Sequence, residues 1–241
     1  RSTLFPYTTL FRSSIGHNGS ISHINILPNN GKLLTVSTYG ELFVHSIQSN
    51  GIVTDRLMSN PQYCFRDVYA NKNGKCYAIS STGHLVIING SKSQIIDVEM
   101  IDKPFNLQEM NDGKQLLIIG ENSVAFLDIA TDKILGTRHL PFRIVYSGRR
   151  DYRPLLFDNP GGMHLVSSLD DITNEKTGLE GQVTAFASSK NEHIAAYGMY
   201  DGTIWLIDRS GRKHKLVGHL SQVTKLKLNG KRLYSSSYDG K

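Results

Sequence analysis

Short runs of apolar residues, separated by tight turns, are the dominant pattern of the chain. Residues 41–47, 115–119 and 124–127 are rich in β-branched and aromatic side chains, and each run is only a few residues long. Runs of this length between turn residues are typical of β-strands, and no apolar period of 3.6 residues competes with them. The pattern therefore predicts an all-β protein of short antiparallel strands.

The turns recur at a nearly constant interval. Turn dipeptides follow one another at spacings of 38 to 43 residues, at Tyr39-Gly40, Thr82-Gly83, Glu121-Asn122, Gly161-Gly162, Asp201-Gly202 and Asp239-Gly240. A repeat of about 40 residues holds four short strands, and one such sheet cannot bury both of its faces alone. Because radial stacking gives each sheet a neighbour on both sides, the repeat predicts a β-propeller of four-stranded antiparallel blades.

The repeat resembles the WD40 family. The dipeptides at 16–17 and 218–219 are both Gly-His, which opens the unit of that family, and residues 201–208 read DGTIWLID. The Trp-Asp position of the family falls on Ile207-Asp208, so Trp205 is displaced by two residues but keeps the same strand face. The resemblance implies a WD40-like propeller over residues 15–241.

The resemblance also implies how the blades divide the chain. Five complete blades extend from Ile21 to near Val217, and half of a sixth begins at Val223, so we expect an incomplete ring and a module of a larger protein. Residues 1–14 are expected to be a non-native or disordered leader. Their first thirteen residues, RSTLFPYTTLFRS, contain a repeated TLF and look like a translated sequencing adapter.

A buried hydrogen-bond network of His, Ser or Thr, Asp and Trp is common inside blades of the family. The sixth unit supplies His219, Ser235 and Asp239 at the matching positions, and a structural network is expected there rather than a hydrolase triad. The first unit keeps His17 but has Tyr39 in place of the Asp. The fifth unit has Leu179 and Tyr197 at these positions, so it lacks the network.

The resemblance further implies which residues contact a protein partner. They flank the first β-branched residue of the inner strand and precede the Asp of the turn, at Gln182, Thr184, Tyr200, Gln222, Thr224 and Tyr238, and in the first unit at Ser20, Ser22 and Thr38. Tyr200 and Tyr238 are the principal candidates because aromatic side chains dominate contact energies. The open alternative is that both tyrosines pack on neighbouring blades.

The predicted function is a non-catalytic scaffold or platform for a protein or peptide partner. The alternative is an enzymatic or ligand-binding propeller with its site in the central channel. No His-Glu-x-x-His motif or Gly-rich phosphate loop occurs, and Asp158 and the pair at 170–171 lie in turn-like contexts, so no catalytic residue, metal or cofactor is predicted. The inner strands at 21–27, 65–70 and 183–188 are mostly apolar or small, which favours binding over catalysis.

Composition adds limits to this interpretation. The chain has 241 residues, 39% of them hydrophobic, and a net charge of +6 spread along its length, so nucleic acid is not an expected partner. The densest polar cluster, residues 149–153, is either a solvated loop or a contact site for an acidic partner. Cys64 and Cys76 are either packed thiols or one bridge across a hairpin. No apolar run has membrane-spanning length, so no transmembrane helix is predicted. The protein is expected to be cytoplasmic.

Overall fold

The computed structural model describes residues 16–27, 31–98, 101–150, 153–159, 161–189 and 193–241. The predicted leader at 1–14 lies outside these residues. The described part contains 22 β-strands and a single 3-10 turn at Asn111–Gly113. It forms two compact units, one up to Glu109 and one from Met110 onward.

Each of the first five sheets has four antiparallel strands in chain order. Sheet 1 contains β1 (Ile21–Ile26), β2 (Leu33–Ser37), β3 (Glu41–Gln48) and β4 (Gly51–Ser59). Sheet 2 contains β5 (Phe65–Ala70), β6 (Cys76–Ser80), β7 (His84–Asn89) and β8 (Lys92–Asp97). Sheet 3 contains β9 (Asn106–Met110), β10 (Gln115–Ile119), β11 (Ser123–Asp128) and β12 (Lys133–His139).

The remaining sheets follow the same plan. Sheet 4 contains β13 (Ile144–Arg150), β14 (Arg153–Asp158), β15 (Met163–Val166) and β16 (Ile172–Glu175). Sheet 5 contains β17 (Val183–Ser189), β18 (Ile194–Met199), β19 (Ile204–Ile207) and β20 (Lys213–Leu216). Sheet 6 contains only β21 (Val223–Asn229) and β22 (Arg232–Ser237). The predicted five four-stranded blades and half of a sixth are therefore confirmed.

The core lies between the faces of successive sheets. In the first unit, Leu34 and Leu42 of sheet 1 share one buried cluster with Phe65 and Val86 of sheet 2. In the second unit, Phe157 of sheet 4 belongs to a cluster with residues of sheet 5, and a further cluster joins sheet 5 to sheet 6. Burying a side chain such as Phe65 or Phe157 contributes about 1.5–3 kcal/mol, so stacking of the sheets stabilises the units.

A bulge begins the first strand of most sheets. The register between the first and second strands shifts after the first residue in sheets 1, 2, 4, 5 and 6. A bulge re-aims the side chain of the extra residue. Thr184 occupies this position in β17, and its hydroxyl donates to the carbonyl of Val223 in sheet 6 at 2.7 Å. Ser22 does the same in sheet 1, donating to the carbonyl of Phe65 at 2.7 Å.

The two cysteines do not form a bridge. Cys76 opens β6 opposite Ala70, whereas the carbonyl of Cys64 accepts from the N–H of Ser81, at the other end of the same hairpin. Burial raises the pKa of the Cys76 thiol to about 11. The alternative of a disulfide across this hairpin is therefore wrong, because the thiols stand at opposite ends of it. No helix among the described residues is long and apolar enough to cross a membrane.

Candidate partner-binding face

Two exposed tyrosines lie at the same end of sheets 5 and 6. Tyr200 follows β18, and its N–H donates to the carbonyl of Gln182 at 3.0 Å, just beyond the last pair of β17 and β18. Tyr238 follows β22 and donates in the same way to the carbonyl of Gln222 at 3.2 Å. The tyrosine side chains are 61% and 75% exposed, so neither is packed inside a core.

A leucine that sequence reasoning did not single out lies beside these tyrosines. Leu220 is 84% exposed in the connection from sheet 5 to sheet 6. We call the surface formed by Gln182, Tyr200, Leu220, Gln222 and Tyr238 the tyrosine face. The two glutamines are half-buried, so the tyrosines and Leu220 are the most exposed residues of this surface.

Gly202 fixes the Tyr200 turn against the connection between the two sheets. Its φ is +86°, and a Cβ placed on it would lie 2.7 Å from the carbonyl oxygen of His219 and 2.8 Å from that of Ser221. The backbone of the turn therefore contacts the backbone of the connection, which a side chain at 202 would prevent. The hydroxyl of Ser237 also donates to the carbonyl of Ser221 at 2.8 Å. These contacts hold both turns and the connection in one arrangement.

The hydrogen-bond network predicted for the sixth sequence repeat supports the same connection. Nδ1 of His219 lies 3.1 Å from Oδ2 of Asp239, and Nε2 lies 2.8 Å from the hydroxyl of Ser235. The N–H of Leu220 donates to Asp239 at 2.8 Å. This backbone hydrogen bond is the largest contribution that lowers the pKa of Asp239 to about 2. An ionised Asp239 thus anchors the main chain of Leu220, whose side chain belongs to the tyrosine face.

The structure places the two threonines of the predicted partner set differently. Thr184 is buried, and its hydroxyl lies within hydrogen-bond distance of the carbonyls of Gly198 and Val223, to which it donates. Thr224 is half-buried, with its hydroxyl 3.0 Å from that of Ser236. Thr184 links two sheets within the second unit, so we leave it out of the tyrosine face.

The first sequence repeat has a turn that is related to the Tyr200 turn. The N–H of Thr38 donates to the carbonyl of Ser20 at 2.9 Å, as Tyr200 does to Gln182. The exposed aromatic residue here is Tyr39, which is 51% exposed and follows the position that Tyr200 and Tyr238 occupy. Ser22 is taken up by the link between sheets 1 and 2 described above.

A buried hydrogen-bond network exists in the first sequence repeat even though Tyr39 replaces the expected Asp. Glu41, which has no exposed surface, supplies the carboxylate from the start of β3. It accepts hydrogen bonds from the N–H of Asn18 at 2.8 Å and from the hydroxyl of Ser37 at 3.0 Å, and it lies 3.3 Å from Nδ1 of His17. Burial alone would raise the pKa of Glu41, but these hydrogen bonds together lower it.

A second histidine extends this network. The hydroxyl of Thr35 lies 2.6 Å from Nε2 of His17 and 2.7 Å from Nε2 of His45, which occupies the position of the family's Trp. Nδ1 of His45 lies 2.9 Å from the hydroxyl of Thr54 in β4. Burial is the main cause that lowers the pKa of both histidines. The carboxylate lies two residues beyond the position where the motif expects it, and His45 stands at the position of the family's Trp. The sequence motif therefore did not reveal this network.

Asp158 forms a buried pair with His164 that the sequence did not indicate. It accepts from the N–H groups of Gly161 and Gly162, which agrees with a turn role, but its Oδ2 also lies 2.8 Å from Nε2 of His164. The ring of His164 stacks on that of Phe142, with 3.8 Å between centroids. Burial alone would raise the pKa of Asp158, but the bonds from His164 and the two glycines lower it.

The repetition of the His network bears on catalysis. His219, Ser235 and Asp239 are linked in the order of a hydrolase triad, yet the same order recurs in the first unit, where Thr35 and Glu41 are both buried. The hydroxyl of Thr35 is buried and cannot reach a substrate, which favours a structural role for the network of the first repeat unit. Ser235 is exposed, so a structural role for the network of the sixth repeat unit stays a prediction. Within the described residues, no group of three or more His, Cys, Asp or Glu side chains could hold a metal ion.

The chain is similar to many solved structures, and two of them illustrate the match. The β-propeller domain of Cps50 (Swd1) from Myceliophteria thermophila matches with a TM-score of 0.71 and 11% identity, over 93% of this chain and 82% of that one. Sqt1 from Saccharomyces cerevisiae matches with a TM-score of 0.67 and 14% identity, over 93% of this chain and 70% of that one. No family model and no curated protein matches the chain. The predicted WD40-type propeller is confirmed as a fold.

Proposed function

We propose that the chain is a non-catalytic platform that binds a protein or peptide partner through the tyrosine face. The observation that carries this proposal is the exposure of Tyr200 and Tyr238 on turns that are held by backbone hydrogen bonds. Tyrosine is enriched among the residues that dominate binding energy, and it presents a large area with few rotatable bonds. Leu220 adds an apolar side chain to the same surface.

The rigidity of the turns supports this function. A surface that is already ordered loses little conformational entropy on binding, so more of the contact energy appears as affinity. The turn at Gly202 and the connection anchored by Asp239 provide this order without help from a ligand.

The unpaired cysteines Cys64 and Cys76 agree with a reducing compartment, which supports the proposal of a cytoplasmic protein.

Photo-cross-linking tests this function. Benzoylphenylalanine replaces Tyr200 or Tyr238 in turn, and Tyr234, which is 52% exposed in the middle of β22, provides the matched control position. Positions 200 and 238 are expected to give an adduct with the same polypeptide, whereas position 234 does not. Adducts of equal yield and identity at all three positions, or none at 200 and 238, would contradict the proposal.

A further inference from the structure

A second candidate site lies at the opposite strand ends of the second unit. The tyrosine face adjoins the start of β17 at Val183, whereas a cavity of about 250 Å³ lies at the end of that strand. The cavity is lined by Arg150, Ser188, Ser189, His193, Ile194, Ala195, Tyr197, Ile207, Asp208 and Arg209. The two sites are separated by the length of the strand, so a test of this cavity is independent of the proposed function.

Basic side chains from three separate segments converge on the cavity. Arg150 comes from the end of β13, His193 precedes β18, and Arg209 follows β19. Arg150 forms an ion pair with Glu175, and the cavity lining also includes Tyr197. A guanidinium has five N–H donors in a planar fork, so one arginine can hold two carboxylates or a carboxylate and a phosphate.

The one acidic residue that lines the cavity is engaged by its own turn. Oδ1 of Asp208 accepts from the N–H of Ser210 at 2.9 Å, from the hydroxyl of Ser210 at 2.6 Å and from the N–H of Arg212 at 3.0 Å. Its other oxygen, Oδ2, lies 3.9 Å from Nε2 of His214. These hydrogen bonds hold the carboxylate of Asp208 in its own turn. Among the charged side chains that line the cavity, two arginines thus stand beside one turn-bound carboxylate, and Arg150 is also paired with Glu175.

We propose that this cavity binds the anionic group of an acidic or phosphorylated peptide side chain. Pockets for drug-sized ligands occupy about 300–1,000 Å³, so a cavity of about 250 Å³ suits one side chain better than a whole cofactor. Ile194, Ala195 and Ile207 give it an apolar wall that accommodates the carbon stem of such a side chain. Arginine pairs with carboxylate and phosphate in the same bidentate geometry, which is why both belong to one ligand class.

Amide chemical shifts of the full chain test the proposal. The probes are two tripeptides, acetyl-Gly-phosphoserine-Gly-amide and acetyl-Gly-Glu-Gly-amide, with acetyl-Gly-Ser-Gly-amide as the neutral control and inorganic phosphate as the free anion. We expect saturable shifts of the amides of Ser188, Ser189 and His193 with both acidic tripeptides, with a dissociation constant of about 1 mM or tighter, and none with the neutral one. Shifts with inorganic phosphate alone would overturn the assignment to a peptide side chain.

Arginine variants locate the binding. Arg150→Ala and Arg209→Ala are each expected to weaken tripeptide binding by about tenfold or more, because each removes a charge-assisted hydrogen bond. Arg143→Ala is the matched control, since Arg143 precedes the same strand β13 at its other end and pairs with Glu121. An equal loss in all three variants would reduce the effect to net charge, and no loss in the first two would overturn the site.

Discussion

Removing the carboxylate of Glu41 is the sharpest test of the buried network in the first unit. Four donor atoms surround this carboxylate, namely the main-chain and side-chain nitrogens of Asn18, the hydroxyl of Ser37 and Nδ1 of His17. Glu41→Ala removes the acceptor from all of them and leaves the donors in place. The network then loses the group that holds the N-terminal segment of the unit against β2 and β3.

The burial of the donors sets the expected cost. Ser37 is fully buried and the side chain of His17 is 7% exposed, so water cannot readily replace the lost acceptor for either one. A buried donor without a partner costs about 1–3 kcal/mol. Asn18 is exposed, and its donors can turn to solvent. We therefore expect Glu41→Ala to lower the free energy of unfolding by about 2–5 kcal/mol.

Urea denaturation followed by far-UV circular dichroism measures this change. Glu180→Ala is the control, because Glu180 is exposed and a surface substitution is expected to stay within about 0.5 kcal/mol. Glu41→Gln should fall between the two, since it keeps one acceptor oxygen but faces donors with an amide group. A Glu41→Ala midpoint that matches that of Glu180→Ala would refute the argument that this carboxylate is a structural acceptor.

Three further predictions follow from the second unit. The pKa of Asp239 is about 2 in the folded chain against an ordinary 3.8, so its contribution to stability is complete above about pH 4 and is lost as the pH falls through 2. Asp239→Asn should therefore make the urea midpoint depend less on pH between pH 4 and pH 2. Gly202→Ala should lower the melting temperature more than Gly211→Ala, because both have positive φ but only Gly202 meets backbone within 4 Å. Thr184→Val should cost about 1 kcal/mol in urea denaturation by removing the hydroxyl that links sheets 5 and 6, whereas Thr224→Val should cost less than about 0.5 kcal/mol. Equal losses within either pair of variants would contradict the assigned contacts.

The sheets were predictable because their signals are local. Turn dipeptides such as Asp201-Gly202 and Asp239-Gly240 mark the ends of strands, and the apolar runs between them have the length of blade strands. The exposure of Tyr200 and Tyr238 agreed with their place in these turns. The residue after the first apolar residue of an inner strand was less predictable, since the bulge directs Thr184 toward the neighbouring sheet.

The networks and the cavity were not predictable because their members are distant in the chain. Glu41 takes the role of an Asp that the motif places at Tyr39, and it contacts His17, which lies 24 residues before it in the chain. Arg150 ends β13 of sheet 4 and Arg209 follows β19 of sheet 5, so both line one cavity only because the two sheets stack. A sequence pattern records spacing along one strand, whereas these contacts depend on how neighbouring strands and sheets align.

The affinity of the cross-linked partner, once purified, for variants of the tyrosine face tests the central claim most directly. Tyr200→Ala and Tyr238→Ala are each expected to weaken that affinity by about 30-fold, which corresponds to a contact worth about 2 kcal/mol. Tyr234→Ala removes an equally large exposed side chain away from the face and should leave the affinity unchanged. Affinities for Tyr200→Ala and Tyr238→Ala within about twofold of the unsubstituted chain would contradict the account.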